Sequence, residues 1–193
     1  MQNINGSKPG QLSPENYIRQ RARTLPVYEC MINENWEDSR MAQLSVARKH
    51  SNGNITVCLY LVDLMCLGVK DTHFMFNLPF HEYQDKMEQI VEGSHSLAID
   101  YVLAHNIIFN GLEFAGDYGF KPHKDFTSVT RFMLEEDTDD IELIEIECGY
   151  NGQPTYMRGP YDDKVKVKFI ISQLERTAGP GNFTIIDKDD DFD

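Results

Sequence analysis

The chain has 193 residues, of which 41% are hydrophobic and 25% are charged, and its formal net charge is −13. This composition is typical of a folded globular protein and excludes a disordered or fibrous chain. The excess of acidic residues disfavours binding of nucleic acid or of an anionic membrane by bulk charge. No apolar run approaches the ~18 residues needed to cross a bilayer, and the first residues lack a secretory signal pattern. We therefore expect a cytoplasmic location.

The first predicted elements are a helix and a strand. Ser13 and Pro14 form a typical helix start, with Ser as the N-cap and Pro at the first helical position. The helix should end before Pro26, because the residue preceding a proline disfavours helical geometry. Residues 27–32 then predict a short strand.

A β-hairpin follows. Two apolar runs, 42–47 and 55–64, flank the Asn-Gly pair at 52–53, whose residues readily adopt the positive φ angles of a tight turn. The second run is apolar on both faces, which is typical of a central strand covered on both sides. Residues 67–71 are expected to interrupt this strand, and residues 72–76 are expected to form strand again.

The second half of the chain predicts several helices. The spacing of apolar residues predicts one helix over 80–91 and a longer one over 96–118. A short helix is predicted over 127–134. A last helix begins near Asp162 or Asp163, either of which can serve as its N-cap.

The C-terminal part predicts a second hairpin. Residues 144–148 alternate apolar and acidic side chains, and the Asn-Gly pair at 151–152 leads into residues 155–157. This alternation predicts one buried face and one acidic, solvated face. Residues 183–186 fit a closing strand.

These elements predict an α+β fold: a single compact domain in which two β-hairpins with Asn-Gly turns pack against several helices. The domain should span 13–186, between a flexible N-terminus, 1–12, and an acidic disordered tail, 187–193. A subdivision into halves, 27–92 and 96–186, also fits, although no linker separates them.

The cysteines indicate neither disulfides nor zinc. They form no CxxC pair, and the histidine spacing matches no zinc finger. In a reducing cytoplasm we expect free thiols that pack as small buried hydrophobic residues. Cys66 lies close to Lys70 but has no assured His partner, so a buried thiol is favoured over a nucleophile. The four cysteines are Cys30, Cys58, Cys66 and Cys148.

Acidic residues are concentrated in two stretches. Residues 135–147 contain eight acids, and residues 187–193 contain five. An acidic surface of this kind favours a protein partner with a basic surface. The opposite bias occurs near the N-terminus, where three arginines could contact phosphate, although a solvated helix face is the commoner role. These arginines are Arg19, Arg21 and Arg23.

One candidate site lies at the end of the buried strand. Asp63 is followed by a Gly turn and then by Lys70 and Asp71. Two carboxylates at such an edge could hold a hard divalent cation while the lysine faces a phosphate. The structural alternative is that Asp63 accepts backbone N–H groups within the turn while Lys70 and Asp71 are solvated.

The second candidate site is the loop at 119–126. His123, with Asp125 two residues later, could be an oriented general base or a metal ligand, and His105 on the preceding helix could point toward the same loop. The alternative is a loop in which Asp125 caps the next helix and His123 is merely exposed. Two nearby lysines would favour an anion, and these are Lys121 and Lys124. The residues that could ligate a metal are Asp63, Asp71 and His123.

Several long segments of this chain are distinctive. They read SPENYIRQRARTLPVYECMINENWED at 13–38, NGNITVCLYLVDLMCLGVKDTHF at 52–74, AHNIIFNGLEFAGDYGFKPHKDF at 104–126, GYNGQPTYMRGPYDD at 149–163 and GPGNF at 179–183. These segments resemble a family of uncharacterised bacterial proteins that carry YLVD-x-x-CLGVKD and GFKPHKDF motifs. The resemblance implies a bacterial cytosolic setting. It transfers no cofactor or catalytic residue, because no activity is established for the family.

Functions of different classes fit these observations. The leading one is a non-catalytic interaction or regulatory protein, because recognisable catalytic motifs are absent and the acidic stretches suit a basic partner. The alternative to the leading function is a metal-dependent hydrolase or nuclease-like enzyme, built on Asp63, Asp71, His105, His123 and Asp125. A third function, a nucleic-acid-binding accessory, would use the N-terminal arginines with Lys121 and Lys124. No particular cofactor is indicated.

Overall fold

The computed structural model describes residues 12–186. The predictions for residues 1–12, apart from Leu12, and for the tail at 187–193 lie outside the described residues. Within residues 12–186 the chain forms an α+β domain, as predicted. No helix in this range is long and apolar enough to span a bilayer.

The main sheet has five antiparallel strands, which are β1 (Val27–Asn33), β2 (Met41–Lys49), β3 (Ile55–Asp63), β4 (Gly68–Leu78) and β5 (Ser96–Ile99). Their order across the sheet is β4-β3-β2-β1-β5, so the first four strands form a continuous meander. β5 pairs with the outer edge of β1, opposing Ile99 to Cys30 and Ser96 to Asn33. The halves 27–92 and 96–186 therefore share this sheet.

Helices pack on both faces of the sheet. In the described part of the chain they are α1 (Pro14–Arg21), α2 (Trp36–Ser39), α3 (Phe80–Ser94), α4 (Tyr101–Asp117), α5 (Lys124–Ser128) and α6 (Lys164–Thr177). Short 3-10 turns cover Ala22–Thr24 and Thr130–Met133. A small second sheet pairs β6 (Thr155–Met157) in parallel with β7 (Thr184–Ile186).

The two faces of the main sheet bury different cores, because successive strand residues point to opposite sides. On one face, Val46 and Tyr60 join α4 residues such as Ile108 in the larger core. On the other face, Tyr83 and Met87 of α3 pack against β2 and β3. Beside α3, a part of this second face remains open as a groove.

Several predictions of local structure are confirmed. The Ser13 hydroxyl accepts a hydrogen bond from the backbone N–H of Asn16 and caps α1. Asp163 caps α6 in the same way through the N–H of Lys166. The first hairpin also forms and joins β2 to β3 through residues 50–54. Its turn differs from the predicted Asn-Gly turn: the N–H of Gly53 donates to the carbonyl of His50, so Ser51 and Asn52 are at the centre, and of the Asn-Gly pair Gly53 alone has a positive φ, +87°.

The predicted helix over 96–118 is shorter in the structure. Residues 96–99 form β5, and α4 begins after Asp100, whose carboxylate accepts from the N–H of Val102. The free edge of β1 explains the difference, because pairing with residues 96–99 satisfies backbone groups on both segments. The predicted helix at 127–134 likewise divides into the end of α5 and a 3-10 turn.

The predicted second hairpin also differs in the structure. The turn forms, since Asn151 and Gly152 have φ values of 52° and 76° and a single bridge joins Tyr150 to Gln153. Residues 144–148, however, pair with no strand, and β6 pairs instead with β7. The side chain of Asn106 accepts from the N–H of Ile144, which satisfies one of the backbone groups that a partner strand would otherwise pair.

Candidate functional site

Asp63 anchors the turn between β3 and β4. Its side chain is 2% exposed, and its Oδ1 accepts from the backbone N–H groups of Met65 at 2.9 Å and Cys66 at 3.1 Å. Lys70 Nζ lies 3.5 Å from Oδ2. Burial raises the pKa of this carboxyl, while Lys70 and the backbone donors oppose the rise. These contacts agree with the structural alternative for Asp63.

The same turn connects the sheet to the C-terminal part of the domain. The carbonyl of Leu64 accepts from the N–H of Gly149 at 2.7 Å, and the carbonyl of Met65 accepts from the N–H of Thr155 at 3.0 Å. Residues 64–67 are all buried. The turn is therefore part of the core and offers no access to a substrate.

Asp71, His123 and Asp125 lie together at the free edge of β4. The N–H of His123 donates to the carbonyl of Val69 at 2.8 Å, which places the 119–126 loop beside the strand. His123 Nε2 is then 3.9 Å from Asp71 Oδ1, and its Nδ1 is 3.9 Å from Asp125 Oδ2. The structure thus brings three of the predicted site residues into one group.

The histidine of this group has a second, structural role. His123 Nδ1 accepts a 3.3 Å hydrogen bond from the backbone N–H of Asp125, so His123 rather than Asp125 caps α5. An accepting Nδ1 leaves the proton of the neutral ring on Nε2, which faces Asp71. The His123 side chain is 29% exposed. This partly buried imidazole thus lies between two carboxylates.

His105 lies elsewhere. It is 1% exposed, stacks on Phe109 at 4.3 Å, and its Nε2 is 3.3 Å from the carbonyl of Glu135. Along α4 it precedes Ala115, which packs against the β3–β4 turn at Gly68, by about 15 Å. The described contacts of His105 therefore join it to the 135–137 segment and not to Asp71 or His123.

Burial lowers the pKa of His105, while the Glu135 carbonyl and the Asp137 carboxylate oppose this effect. Its Nδ1 is buried without a hydrogen-bond partner, 4.0 Å from Asp137 Oδ1. Within residues 12–186, no group of three His, Cys, Asp or Glu side chains could hold a metal ion.

The remaining chemical candidates have structural contacts. Burial raises the pKa of Cys66, so its thiol stays protonated at neutral pH. Arg19 Nε donates to the carbonyl of Ser128 at 2.6 Å, and Arg23 Nε donates to the carbonyl of Leu134 at 2.6 Å. Two of the three N-terminal arginines therefore hold α1 and the turn after it to the domain. Exposed lysines remain at Lys121 and Lys124.

Residues 135–147, which we call the acidic strap, cross the surface without forming a helix or a strand, and arginines hold both ends. A turn at 138–141 interrupts the strap, where the N–H of Ile141 donates to the carbonyl of Thr138. At the first end, Glu135 pairs with Arg48 at 2.6 Å and Glu136 pairs with Arg23 at 2.7 Å. At the other end, Glu147 pairs with Arg40 at 2.5 Å. Three of the eight acids thus fix the strap to the domain.

The middle of the strap is held by one amide side chain. Asn106 Nδ2 donates to the carbonyl of Glu142 at 2.9 Å, and its Oδ1 accepts from the N–H of Ile144 at 2.9 Å. Ile144 and Ile146 pack into the larger core. Leu143, which is 84% exposed, lies among the solvent-facing acids of the strap. These acids are Asp139, Asp140, Glu142 and Glu145.

The groove beside α3 was not predicted from the sequence. It has a volume of about 370 Å³, and its floor includes Met31, Ser45 and Leu59 from three adjacent strands. The Ser45 hydroxyl is buried and makes no hydrogen bond with any described residue. A buried hydroxyl without a partner costs roughly 1–3 kcal/mol. The available signal was a polar residue inside the apolar run 42–47.

No protein-family profile, curated protein or solved structure matches this chain.

Proposed function

We propose that this chain is a non-catalytic interaction or regulatory protein of the bacterial cytoplasm, and that its acidic strap binds a partner with a basic surface. One observation carries the proposal. The strap is fixed to the domain by Arg23, Arg40, Arg48 and Asn106, while its central carboxylates form no ion pair within residues 12–186.

The fixed geometry favours binding of a cationic partner. A mobile acidic segment can spread its charges apart, whereas this strap holds its carboxylates in one place on the surface. A basic surface would relieve their mutual repulsion and would also be attracted over a distance. Because the segment is already ordered, little conformational entropy is lost on binding.

Leu143 supplies the apolar element that protein interfaces concentrate at their centre. It is 84% exposed, although Ile144 and Ile146 beside it are turned inward. Carboxylates surround it along the strap. An apolar anchor inside an acidic rim suits a partner segment that alternates apolar and basic residues.

Two of the residues considered for catalysis support the same reading. Asp63 is enclosed within a turn, and His105 is enclosed beneath the first residues of the strap. Neither has the solvent access that substrate binding requires. Asp63 instead bonds the turn between β3 and β4, and His105 contacts the first residue of the strap.

The experiment compares two variants that remove the same amount of charge. In the strap variant, Asp139→Asn, Asp140→Asn, Glu142→Gln and Glu145→Gln are combined. In the control variant, four exposed acids of α3 are changed in the same way, and these are Glu82, Asp85, Glu88 and Glu92. Wild-type protein and both variants are immobilised and exposed to a bacterial lysate at low and high salt.

We expect wild-type protein and the α3 variant to capture the same proteins at low salt, and the strap variant to lose them. High salt should release them from all three. Equal capture by the strap and α3 variants, or capture that is independent of salt, would contradict the proposal.

A second candidate function rests on the grouping of Asp71, His123 and Asp125. The exposed carboxylate of Asp71, which the Nε2–H of His123 faces at 3.9 Å, could act as a general base in a hydrolytic reaction. The metal-dependent form of this enzyme has less support, because Asp63 is enclosed in its turn and His105 lies elsewhere.

Thermal unfolding with Mg²⁺, Mn²⁺ and Zn²⁺, on wild-type protein and on Asp71→Asn, tests the metal-dependent form. A bound ion at 100 times its Kd would raise the Tm by about 5–10 °C. Such a rise, if lost in Asp71→Asn, would favour the enzyme. No rise with any of the ions would exclude this form under these conditions.

A further inference from the structure

We propose that the groove beside α3 binds a small amphipathic amine: a largely apolar molecule with an ammonium group at one end and a hydrogen-bonding group at the other. This inference is independent of the proposed function of the strap. It rests on the apolar floor of the groove, on the Ser45 hydroxyl and on the Asp71 carboxylate.

The register of the sheet builds the floor. Met31 lies opposite Ser45, and Ser45 lies opposite Leu59, so these three side chains form one row across β1, β2 and β3. Leu61 extends the apolar surface toward Asp71, which lies opposite it on β4. Apolar floors with few polar groups are typical of small-molecule sites, and 370 Å³ is within their usual range.

Ser45 is the polar group at the centre of this floor. Its neighbours along β2, Leu44 and Val46, belong to the core on the opposite face, so the Ser45 side chain points to the groove side. Longer side chains, Met31 and Leu59, flank it on both sides. A ligand group that enters between them would supply the hydrogen bond that the protein does not.

Asp71 determines the charge of the ligand. It is the one acidic residue that lines the groove, and neither Lys nor Arg lines the groove within the described residues. Its carboxylate is 70% exposed and has His123 as its neighbour at 3.9 Å. An anionic ligand would be repelled here, whereas an ammonium group would gain a charge-assisted hydrogen bond.

The spacing between the two polar groups determines the length of the ligand. Ser45 lies on β2 and Asp71 on β4, so two strand spacings, about 10 Å, separate their strands. Ser45 lies opposite Leu59 and Asp71 opposite Leu61, so an offset of about 7 Å along the strands brings the separation of the two residues to roughly 12 Å. Leu59 and Leu61 lie on the strand between them. An aromatic ring of a ligand can cover these two side chains while polar groups at its ends approach Ser45 and Asp71.

Tyramine is a suitable probe, because its ammonium and phenolic hydroxyl groups lie at opposite ends of a ring. Two analogues each change one end: 2-phenylethylamine lacks the hydroxyl, and 3-(4-hydroxyphenyl)propionate carries a carboxylate in place of the amine. Binding is followed by methyl NMR on the full chain, using the methyl groups of Met31, Leu59, Leu61 and Ile90.

We expect tyramine to shift these methyl signals saturably. Its Kd should be about tenfold lower than that of the carboxylate analogue, and about fivefold lower than that of 2-phenylethylamine. Asp71→Asn should weaken tyramine binding by about tenfold, and Ser45→Ala by about fivefold. Asp117→Asn, a control that changes an exposed carboxylate outside the groove, should leave the Kd unchanged.

The proposal is overturned if none of the three probes shifts the groove methyl signals saturably, or if the carboxylate analogue binds as tightly as tyramine. It is also overturned if Asp117→Asn weakens binding as much as Asp71→Asn. Methyl shifts that depend on protein concentration in the absence of any probe would show that copies of the chain contact each other through the groove. That result would also overturn the proposal.

Discussion

Gly68 and Gly111 lie in close backbone contact, at the point where the β3–β4 hairpin packs on α4. A Cβ at Gly68 would stand 3.0 Å from the carbonyl oxygen of Gly111, and Gly68 also has a φ of +66°. A Cβ at Gly111 would stand 2.7 Å from Val62 Cγ1. This contact positions the turn that contains Asp63 and, beyond it, the strand that carries Asp71.

Substitution of Gly111 by Ala should destabilise the protein by about 1–3 kcal/mol, because the added methyl group overpacks the interface with Val62. Gly116→Ala is the matched control on the same helix, since nothing lies within 4 Å of its added Cβ. That change should be neutral or stabilise by up to about 1 kcal/mol. Urea unfolding of both variants measures the difference, and equal effects would show that the contact is loose.

Arg48 should be essential for stability. It is 2% exposed, and its guanidinium donates to the carbonyls of Met133 and Leu25 and to the carboxylate of Glu135. Arg48→Met leaves the two carbonyls without this donor and removes the ion pair of Glu135, whose side chain is 40% exposed, and should cost about 3 kcal/mol. Arg131→Met, at an exposed position, should change stability by less than about 0.5 kcal/mol. Similar Tm values for the two variants would contradict this role.

Ser45→Ala should stabilise the unliganded protein by about 1 kcal/mol, because it removes a buried hydroxyl that has no partner. Thr56→Val provides the contrast. The Thr56 hydroxyl bonds both His50 Nε2 and the N–H of Asn77, so its loss should destabilise by roughly 1–3 kcal/mol. Chemical denaturation measures both, and a destabilising Ser45→Ala would show that the hydroxyl already has a partner.

Stability should fall as the pH falls below the ordinary histidine pKa of 6.5. Burial lowers the pKa of His105 and of His50 in the folded protein. The unfolded chain then binds more protons than the folded chain at mildly acidic pH, which favours unfolding there. The stabilisation is therefore fully present above pH 6.5 and is lost as the pH decreases below that value.

The variant His105→Phe keeps the ring stacked on Phe109 and removes the titration. Between pH 7.5 and 5.5, its free energy of unfolding should depend less steeply on pH than that of the wild type. The difference in slope should be about what the titration of one histidine contributes. His50→Phe, at the other histidine whose pKa burial lowers, should reduce the slope in the same way. If His105→Phe leaves the slope unchanged, the prediction for His105 is wrong.

The elements that were predicted correctly depend on neighbours in sequence. Ser13 caps α1 through Asn16, three residues away, and the first hairpin turns within residues 50–54. β5 instead forms by pairing with β1, which lies more than sixty residues earlier in the chain. No strand forms at 144–148, where the N–H of Ile144 bonds the side chain of Asn106, 38 residues earlier.

The candidate sites likewise depend on contacts between residues that are distant in sequence. Asp71 and His123 were both selected from the sequence, but the bond from the His123 N–H to the carbonyl of Val69 joins them. The acidic residues of the strap were evident, whereas the arginines that fix its ends pair with it over long separations in sequence. Ser45 was counted within an apolar run, because its orientation depends on the pairing of β1, β2 and β3.

The most direct test of the proposed function places a photo-crosslinking amino acid at position 143 of the acidic strap and, as a control, at Tyr161. Tyr161 is 96% exposed and lies outside the strap. Both proteins are produced in the bacterial cytoplasm and irradiated there. The account predicts that position 143 crosslinks a distinct partner, at a segment rich in lysine or arginine, while position 161 does not. No crosslink at position 143, or the same products from both positions, would contradict it.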